Sequence, residues 1–351
     1  VTSNEWFLNV LPSDDELAAL GHDPLRSLLD VAKTRAPIEI GFEGEPDPEL
    51  KKLFQVATKA AAKLKQNSSF VPNAEEQEAL HAFIHLVGRP ALRTIDGELV
   101  GPPENQRRLS SDLAQVNRLL PSVGRLDDAN HTPFGTGWFI AKDLLITNNH
   151  VVAALCGLKV HTDPNWREKL YKAASASSKA WAKDESLRPR WSSADTPPGG
   201  AVGGRVKGVR ALHPEFDAAL LEVVGVADSK DRILTVSGKG PEKRVGLEIY
   251  LLGYPAALAG QTNPAVLKLL FGNGQSVSKR VSPGKLLDKN QSTHDGSSLG
   301  GSSGSPVIAF DDHHVRSLHF SGVYGTSNSA VPFWKMREDP FLIDNGIELA
   351  K

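Results

Sequence analysis

The chain has 351 residues, 40% apolar and 23% charged, an ordinary globular composition with room for about two domains. Its formal net charge is −1, so no overall field draws it to nucleic acid or to an anionic membrane, and no apolar run approaches the ~20 residues of a membrane span. A single cysteine, Cys156, excludes an intrachain disulfide.

The first residues, Val1-Thr2-Ser3-Asn4-Glu5-Trp6, carry no basic stretch followed by an apolar core, so no secretory signal is read there. With one cysteine, a cytoplasmic location is expected, although disulfide-free secreted proteins exist. A start at Val rather than Met leaves a trimmed or excised chain open.

Residues 1–120 read as helical. Ser13-Asp14-Asp15-Glu16 has the pattern of a capping box. Asp23-Pro24 opens a second helix, with Leu25, Leu28, Leu29 and Ala32 at helical spacing. Asp47-Pro48 opens a third, with Leu50, Leu53, Phe54, Ala57, Ala61 and Leu64 on one face. Asn73 with Glu76 caps a fourth, carrying Leu80, Phe83, Ile84 and Val87. A fifth follows Pro102-Pro103, with Leu109, Leu113, Val116 and Leu120. Each has one apolar stripe to bury. His81 and His85 share a helix face at a metal-ligand spacing; without a Glu between them in a zincin-like arrangement, a surface or core-edge pair is the plainer reading. No metal or other cofactor is expected.

From Pro121 the pattern changes to short β runs broken by Gly and Pro, at 135–141, 205–212, 218–224, 247–253, 276–281, 305–310 and 315–324. Many short strands with turn signals predict a barrel or sandwich. Residues 162–204 interrupt this pattern. Asp163-Pro164 opens a helix there with Trp166, Leu170, Ala174 and Trp181 along one face, and Pro197-Pro198-Gly199-Gly200 ends the segment. It reads as a surface insertion packed on its tryptophans, or as a lid or partner-docking arm. Asp311-Asp312-His313-His314 has metal-ligand residue types but reads as a polar turn between strands. Cys156 reads as a small buried apolar side chain.

Three segments carry chemistry. Gly301-Ser302-Ser303-Gly304-Ser305-Pro306 frames a serine with glycines, which let the backbone approach a substrate carbonyl and aim main-chain N–H groups at its oxygen. Gly135-Thr136-Gly137-Trp138-Phe139-Ile140 precedes Leu144-Leu145-Ile146-Thr147-Asn148-Asn149-His150-Val151-Val152. Between these lies His213-Pro214-Glu215-Phe216-Asp217-Ala218-Ala219-Leu220-Leu221. The order His150, Asp217, Ser303 separates the chain from subtilisins and from α/β-hydrolases, and Ser305 stands where the α/β-hydrolase elbow needs its last glycine. In this reading His150 is the general base, Asp217 orients it and stabilises its cation, and Ser303 is the nucleophile. The N–H groups of Gly301 and Ser303 form the oxyanion hole.

On these motifs, residues 121–334 resemble a bacterial trypsin-like serine protease of the chymotrypsin superfamily, nearer the glutamyl-endopeptidase branch than the digestive enzymes. Gly88-Arg89-Pro90-Ala91-Leu92 and Pro102-Pro103-Glu104 resemble a leader that precedes the protease in some bacterial members. The resemblance implies a mainly β fold with α: a chymotrypsin-like double antiparallel β-barrel, six strands in each, preceded by an α-helical domain. His150 and Asp217 would come from the first barrel and Ser303 from the second. The division expected is a helical region at 1–120, regulatory or partner-binding, and a protease domain at 121–351 with a helical insertion at about 162–204.

Two departures from trypsin matter. Ser302 precedes the nucleophile where trypsin has the Asp that receives the freed N-terminus, so that activation route is not expected. Ser297 stands where trypsin has its specificity Asp, so a Lys or Arg preference loses its basis. Ser297, Ser298 and His319 are the candidate substrate-binding residues. His319 resembles the histidine with which glutamyl endopeptidases bind an acidic side chain; the other reading is a structural strand residue. His294-Asp295 is read as shaping the loop. The function expected is a serine endopeptidase acting on protein or peptide substrates, with a regulatory protein partner for residues 1–120. The competing readings are a catalytically silent peptidase-like scaffold in protein–protein interaction, and a protease held inactive by its N-terminal region until a partner engages.

Overall fold

The computed structural model describes Phe7, Leu11 and residues 48–67, 69–99, 106–194, 203–243, 245–255, 278–323 and 327–351. The helices expected from Ser13 and from Asp23, and the segments at Pro102-Pro103 and Pro197-Pro198, lie outside the described residues.

The N-terminal part begins with α1 (Pro48–Gln66) and α2 (Ala74–Phe83). At the start of α2 the Asn73 side chain accepts from the Glu76 N–H and the Glu76 carboxylate accepts from the Asn73 N–H, the reciprocal cap its sequence predicts. Phe7, Ala60, Ala61, Leu64, Leu80 and Ile84 form the buried cluster between these helices. A π-helical turn over Ile84–Gly88 follows.

The chain then makes two strands that a wholly helical reading of residues 1–120 does not contain, β1 (Leu92–Ile95) and β2 (Glu98–Leu99). The cause is local: Asp96 and Gly97 both adopt positive φ, +51° and +84°, the two-residue Asp-Gly turn of a tight hairpin. Next come α3 (Arg107–Ser111) and α4 (Leu113–Leu119). Leu109, Val116 and Leu120 lie in the same buried cluster as Trp138, Ile146, Leu252 and Phe333, so this end of the leader shares its core with the β structure that follows.

The first β unit is a closed six-stranded antiparallel barrel. Its strands are β3 (Val123–Asp127), β4 (Pro133–Ala141), β5 (Leu144–Thr147), β6 (Arg190–Ser192), β7 (Gly203–Leu212) and β8 (Ala219–Val224), in the spatial order β3-β4-β5-β8-β7-β6. Between β5 and β6 lie α5 (Asn149–Leu155) and α6 (Trp166–Lys183). α6 is the helix predicted for the insertion, and it buries Leu170, Ala174 and Trp181. The insertion also returns a barrel strand: Trp191 of β6 fills the interior with Leu126, Phe139 and Val206, and its indole N–H donates to the Gly137 carbonyl at 2.9 Å. A Cβ on Gly124 would lie 2.3 Å from this indole, so the aromatic volume is taken where a glycine leaves room.

The second unit is an eight-stranded antiparallel sheet. β9 (Glu248–Gly253), β10 (Arg280–Lys285), β11 (Thr293–His294), β12 (Pro306–Ala309), β13 (Val315–Val323) and β14 (Ser327–Pro332) run in the order β11-β14-β13-β12-β9-β10. A bridge between Leu286 and His294 joins the two ends of these six. β1 and β2 continue the sheet beyond β10, with Leu92 paired to Val281 and Arg93 to Arg280. The architecture is the chymotrypsin-like one, with the leader hydrogen-bonded to the second unit. α7 (Pro340–Ile343) lies near the C-terminus. Among the described residues, no helix is long and apolar enough to cross a membrane.

Candidate active site

β5 ends at Thr147 and α5 begins at Asn149, so His150 stands in the first turn of a helix directly after a buried strand. Asn148 and Asn149 turn their amides to the loop before β8. Asn148 Nδ2 donates to the Asp217 carbonyl at 2.7 Å, and Asn149 Nδ2 donates to the carbonyls of His213 at 2.8 Å and Phe216 at 3.1 Å. His213 holds the same loop from within, its Nδ1 accepting from the N–H groups of Glu215 and Phe216. This clamp delivers the buried Asp217 carboxylate to His150.

The carboxylate meets the histidine twice. Asp217 Oδ1 accepts from the His150 backbone N–H at 3.1 Å, and Oδ2 lies 2.6 Å from His150 Nδ1. A carboxylate only accepts, so Nδ1 carries the proton of the neutral ring and Nε2 is left able to accept one. Asp217 is 8% exposed and His150 half-buried, so the carboxylate is more shielded from solvent than the imidazole.

Ser303 arrives between two tight turns. Ser302 N–H donates to the Leu299 carbonyl at 3.0 Å, and Leu299 N–H donates to Ser302 Oγ at 3.3 Å, so the first turn is closed from both ends. Gly301 is its third residue with φ +87°, the value a type II turn asks there. The second turn is closed by Ser305 N–H donating to the Ser302 carbonyl at 2.9 Å, with Gly304 third at φ +88°. A Cβ on Gly304 would lie 2.0 Å from the Thr136 carbonyl oxygen. β4 grips both turns: Thr136 Oγ donates to the Gly301 carbonyl at 2.9 Å and Thr136 N–H donates to the Ser303 carbonyl at 2.8 Å. Strand β4 of the first barrel thus positions a loop of the second unit.

Among the described residues, the N–H groups of Gly301 and Ser303 have no hydrogen-bond partner, whereas those of Ser302, Gly304 and Ser305 are all used inside the protein. The half-buried Ser303 hydroxyl donates to the Phe320 carbonyl at 3.5 Å, and no hydrogen bond joins it to His150.

The three pocket residues separate. Ser298 Oγ donates to Asn328 Oδ1 at 2.6 Å, beside Gly322, where a Cβ would crowd that amide at 2.3 Å. His319 lies in β13 against the turn that carries Ser303, its carbonyl accepting from the Gly304 N–H, and its Nδ1 is 3.1 Å from His294 Nε2. Burial, with a further contribution from nearby His150, lowers the His319 pKa to about 3, and burial with nearby His319 takes His294 well below the ordinary histidine range. Both rings are therefore neutral at neutral pH. His319 Nε2 has no hydrogen-bond partner among the described residues. Ser297 points elsewhere. Its side chain is buried, Oγ donates to the Arg89 carbonyl, and His85 Nδ1 lies 2.7 Å from Oγ. The hydroxyl expected on the pocket surface is committed to the leader, because a buried hydroxyl takes the partners nearest to it.

The sequence reading missed Asn148, Asn149, His294 as a partner of His319, Asn328, and the leader residues His85 and Arg89. Arg89 had a signal in the Gly88-Arg89-Pro90 segment, His85 in its spacing from His81, His294 in the His294-Asp295 pair, and Asn148 and Asn149 in the motif that carries His150, but none of these signals pointed to the contacts found. The predicted polar turn at 311–314 is a network in which Asp312 accepts from Arg316 and Lys239. Among the described residues, no cluster of three or more His, Cys, Asp or Glu is placed to hold a metal ion. Cys156 is partly buried against the first-barrel core, and burial raises its thiol pKa.

The fold and the loop frame define the class: a trypsin-like peptidase, a hydrolase. Residues 135–316 match the family described as the trypsin-like peptidase domain, and the chain belongs to that family. Among solved structures, it is similar to a serine-to-alanine mutant of Rv3671c from M. tuberculosis H37Rv in its inactive form, at 15% identity and TM-score 0.39, covering 69% of this chain and 92% of that one. The active form of the M. tuberculosis Rv3671c protease matches at 16% identity and TM-score 0.40, covering 67% and 85%. Deg5 matches at 17% identity and TM-score 0.41, covering 69% and 98%. No curated protein matches the chain.

Proposed function

We propose that the chain is a serine endopeptidase that cleaves protein or peptide substrates through His150, Asp217 and Ser303. The observation that carries this reading is the pairing of a base whose Nδ1 is held by Asp217 at 2.6 Å with a turn that leaves the Gly301 and Ser303 N–H groups unspent. In the reaction the Ser303 hydroxyl exchanges Phe320 for His150 Nε2, gives up its proton there, and attacks the scissile carbonyl. The developing oxyanion takes the two N–H donors, each worth roughly 10²–10³ in rate. His150 returns the proton to the departing amine, and a water activated by the same nitrogen releases the acyl group.

The finer assignment is to the glutamyl-endopeptidase branch. In this reading His294 Nε2–H donates to His319 Nδ1, which leaves the His319 proton on Nε2. That N–H can then donate to a substrate carboxylate, joined by the Ser298 hydroxyl when it exchanges Asn328 Oδ1 for the substrate. Residues 1–120 are proposed to hold a regulatory or partner-binding role beside the protease. The silent-scaffold reading draws support from the unmade Ser303–His150 hydrogen bond, although such bonds are often loose before substrate binds. Labelling with a fluorophosphonate probe decides between the two. Covalent attachment at Ser303, lost in Ser303→Ala, supports the peptidase, and an unlabelled folded chain supports the scaffold.

A further inference from the structure

Residues 295–298 lead into the turn that carries Ser303, and they are held from two sides. On one side, Asn328 Nδ2 donates to the Gly296 carbonyl at 2.6 Å while Asn328 Oδ1 accepts from Ser298. On the other side lies the leader. Arg89 Nε is 2.9 Å from Asp295 Oδ2, with both side chains at most 5% exposed. The other oxygen, Asp295 Oδ1, accepts from the Lys285 N–H of β10. Two residues on, the Ser297 hydroxyl gives its proton to the Arg89 carbonyl, so its lone pair accepts from His85 Nδ1–H at 2.7 Å. Burial, with nearby His81 and Arg89 adding to it, lowers the His85 pKa to about 4, so the ring is neutral at neutral pH.

These contacts are polar, directional and aimed at one segment. Arg89 follows the π-helical turn, bonds back to it through its N–H at the Ile84 carbonyl, and precedes β1, which pairs with β10. The leader is therefore fixed to the sheet beside the segment it grips. An apolar contact would seat the leader as well, but it would not set the height and rotation of residues 295–297.

We propose that His85 and Arg89 are positioning residues of the substrate pocket: through Ser297 and Asp295 they hold residues 295–298 where Ser298 can meet a substrate side chain. This rests on the peptidase reading above. It assigns the leader a definite task, to keep the pocket assembled.

The test uses the full chain and two readouts. A small alkyl fluorophosphonate reads the nucleophile without filling the pocket, and kcat and KM on the best peptide from a library read the pocket. His85→Ala should raise peptide KM about tenfold, the worth of one hydrogen bond in a buried setting, while the labelling rate changes far less. His85→Asn, whose amide N–H stands close to the position of Nδ1–H, should restore KM. Arg89→Met alone strands the Asp295 charge and endangers folding, so Arg89→Met is combined with Asp295→Asn, which removes the pair together. That folded double variant should show the same KM-weighted loss. Equal losses in labelling and in peptide cleavage, or no change in either, overturn the positioning role and leave the peptidase reading standing. A wild-type chain that neither labels nor cleaves any library peptide overturns both.

Discussion

His319 Nδ1 lies 3.1 Å from His294 Nε2, with the two buried rings inclined at 62°. One proton serves this contact. A second would put an uncompensated cation inside the protein, so both rings resist protonation in the folded chain.

Acid should therefore destabilise the fold. In the unfolded chain these histidines titrate near their ordinary value of 6.5, while burial lowers His81 and His85 to about 4 and, together with nearby His150, takes His319 to about 3. Between these values the unfolded chain binds more protons than the folded one, so stability is present above about pH 6.5 and is lost as pH falls toward 4. Melting temperatures measured at pH 7.5, 6 and 5 should fall in that order, and His319→Gln should shallow the slope. A Tm that is flat or rises on acidification contradicts the burial of these neutral rings.

Ser303→Ala should abolish hydrolysis and phosphonate labelling, with melting close to wild type because the hydroxyl makes one long hydrogen bond, 3.5 Å to Phe320. His150→Ala should cost about as much, roughly 10⁴–10⁶ in kcat, and the double variant little more, because such residues act as a unit. Turnover by Ser303→Ala at the wild-type rate would falsify the nucleophile assignment.

Gly304→Ala and Gly97→Ala separate backbone strain from collision. Both residues have positive φ, but a Cβ at Gly97 meets nothing within 4 Å while one at Gly304 strikes the Thr136 carbonyl oxygen at 2.0 Å. Gly97→Ala should cost only the roughly 1 kcal/mol of a left-handed alanine and leave activity intact. Gly304→Ala should destabilise more and also lose labelling, because Thr136 cannot recede without moving the Gly301 carbonyl it holds. Paired thermal melts and labelling rates check this, and indistinguishable variants would contradict it.

Strands β4, β7, β8, β9, β12 and β13 were legible because they alternate or run apolar between Gly and Pro, whereas β3, β5, β11 and β14 were not among the runs named, and the run expected at 276–281 meets β10 only at 280–281, its first two residues lying outside the described ones. The β1–β2 hairpin escaped a reading built on helical stripes, although Asp96-Gly97 is itself a turn signal. β6 escaped because three residues, Arg190-Trp191-Ser192, give no period to count. The contacts of Ser297 with His85 and Arg89 were not legible at all. They join positions 212 and 208 residues apart, and nothing local in the sequence says which way a serine hydroxyl will turn.

Cleavage after Glu or Asp should exceed cleavage after Lys or Arg. No carboxylate stands at Ser297 to receive a cation, and Asp295 is already paired with Arg89. In the proposed tautomer His319 Nε2 is a donor, Ser298 becomes one when its hydroxyl leaves Asn328, and a desolvated carboxylate needs donors. The pKa of His319 near 3 means that it binds as a neutral donor, so the acidic preference should not collapse between about pH 6 and 8, as it would if an imidazolium of ordinary pKa carried it. His319→Ala should reduce cleavage of acidic substrates more than of small apolar ones. His294→Ala should act in the same direction but more weakly, because it frees the tautomer of His319 without removing the ring. Peptide-library profiling at two pH values reads all of this. A dominant Lys or Arg signal sinks the pocket argument as a whole, and a dominant Ala, Val or Leu signal sinks only the role given to His319.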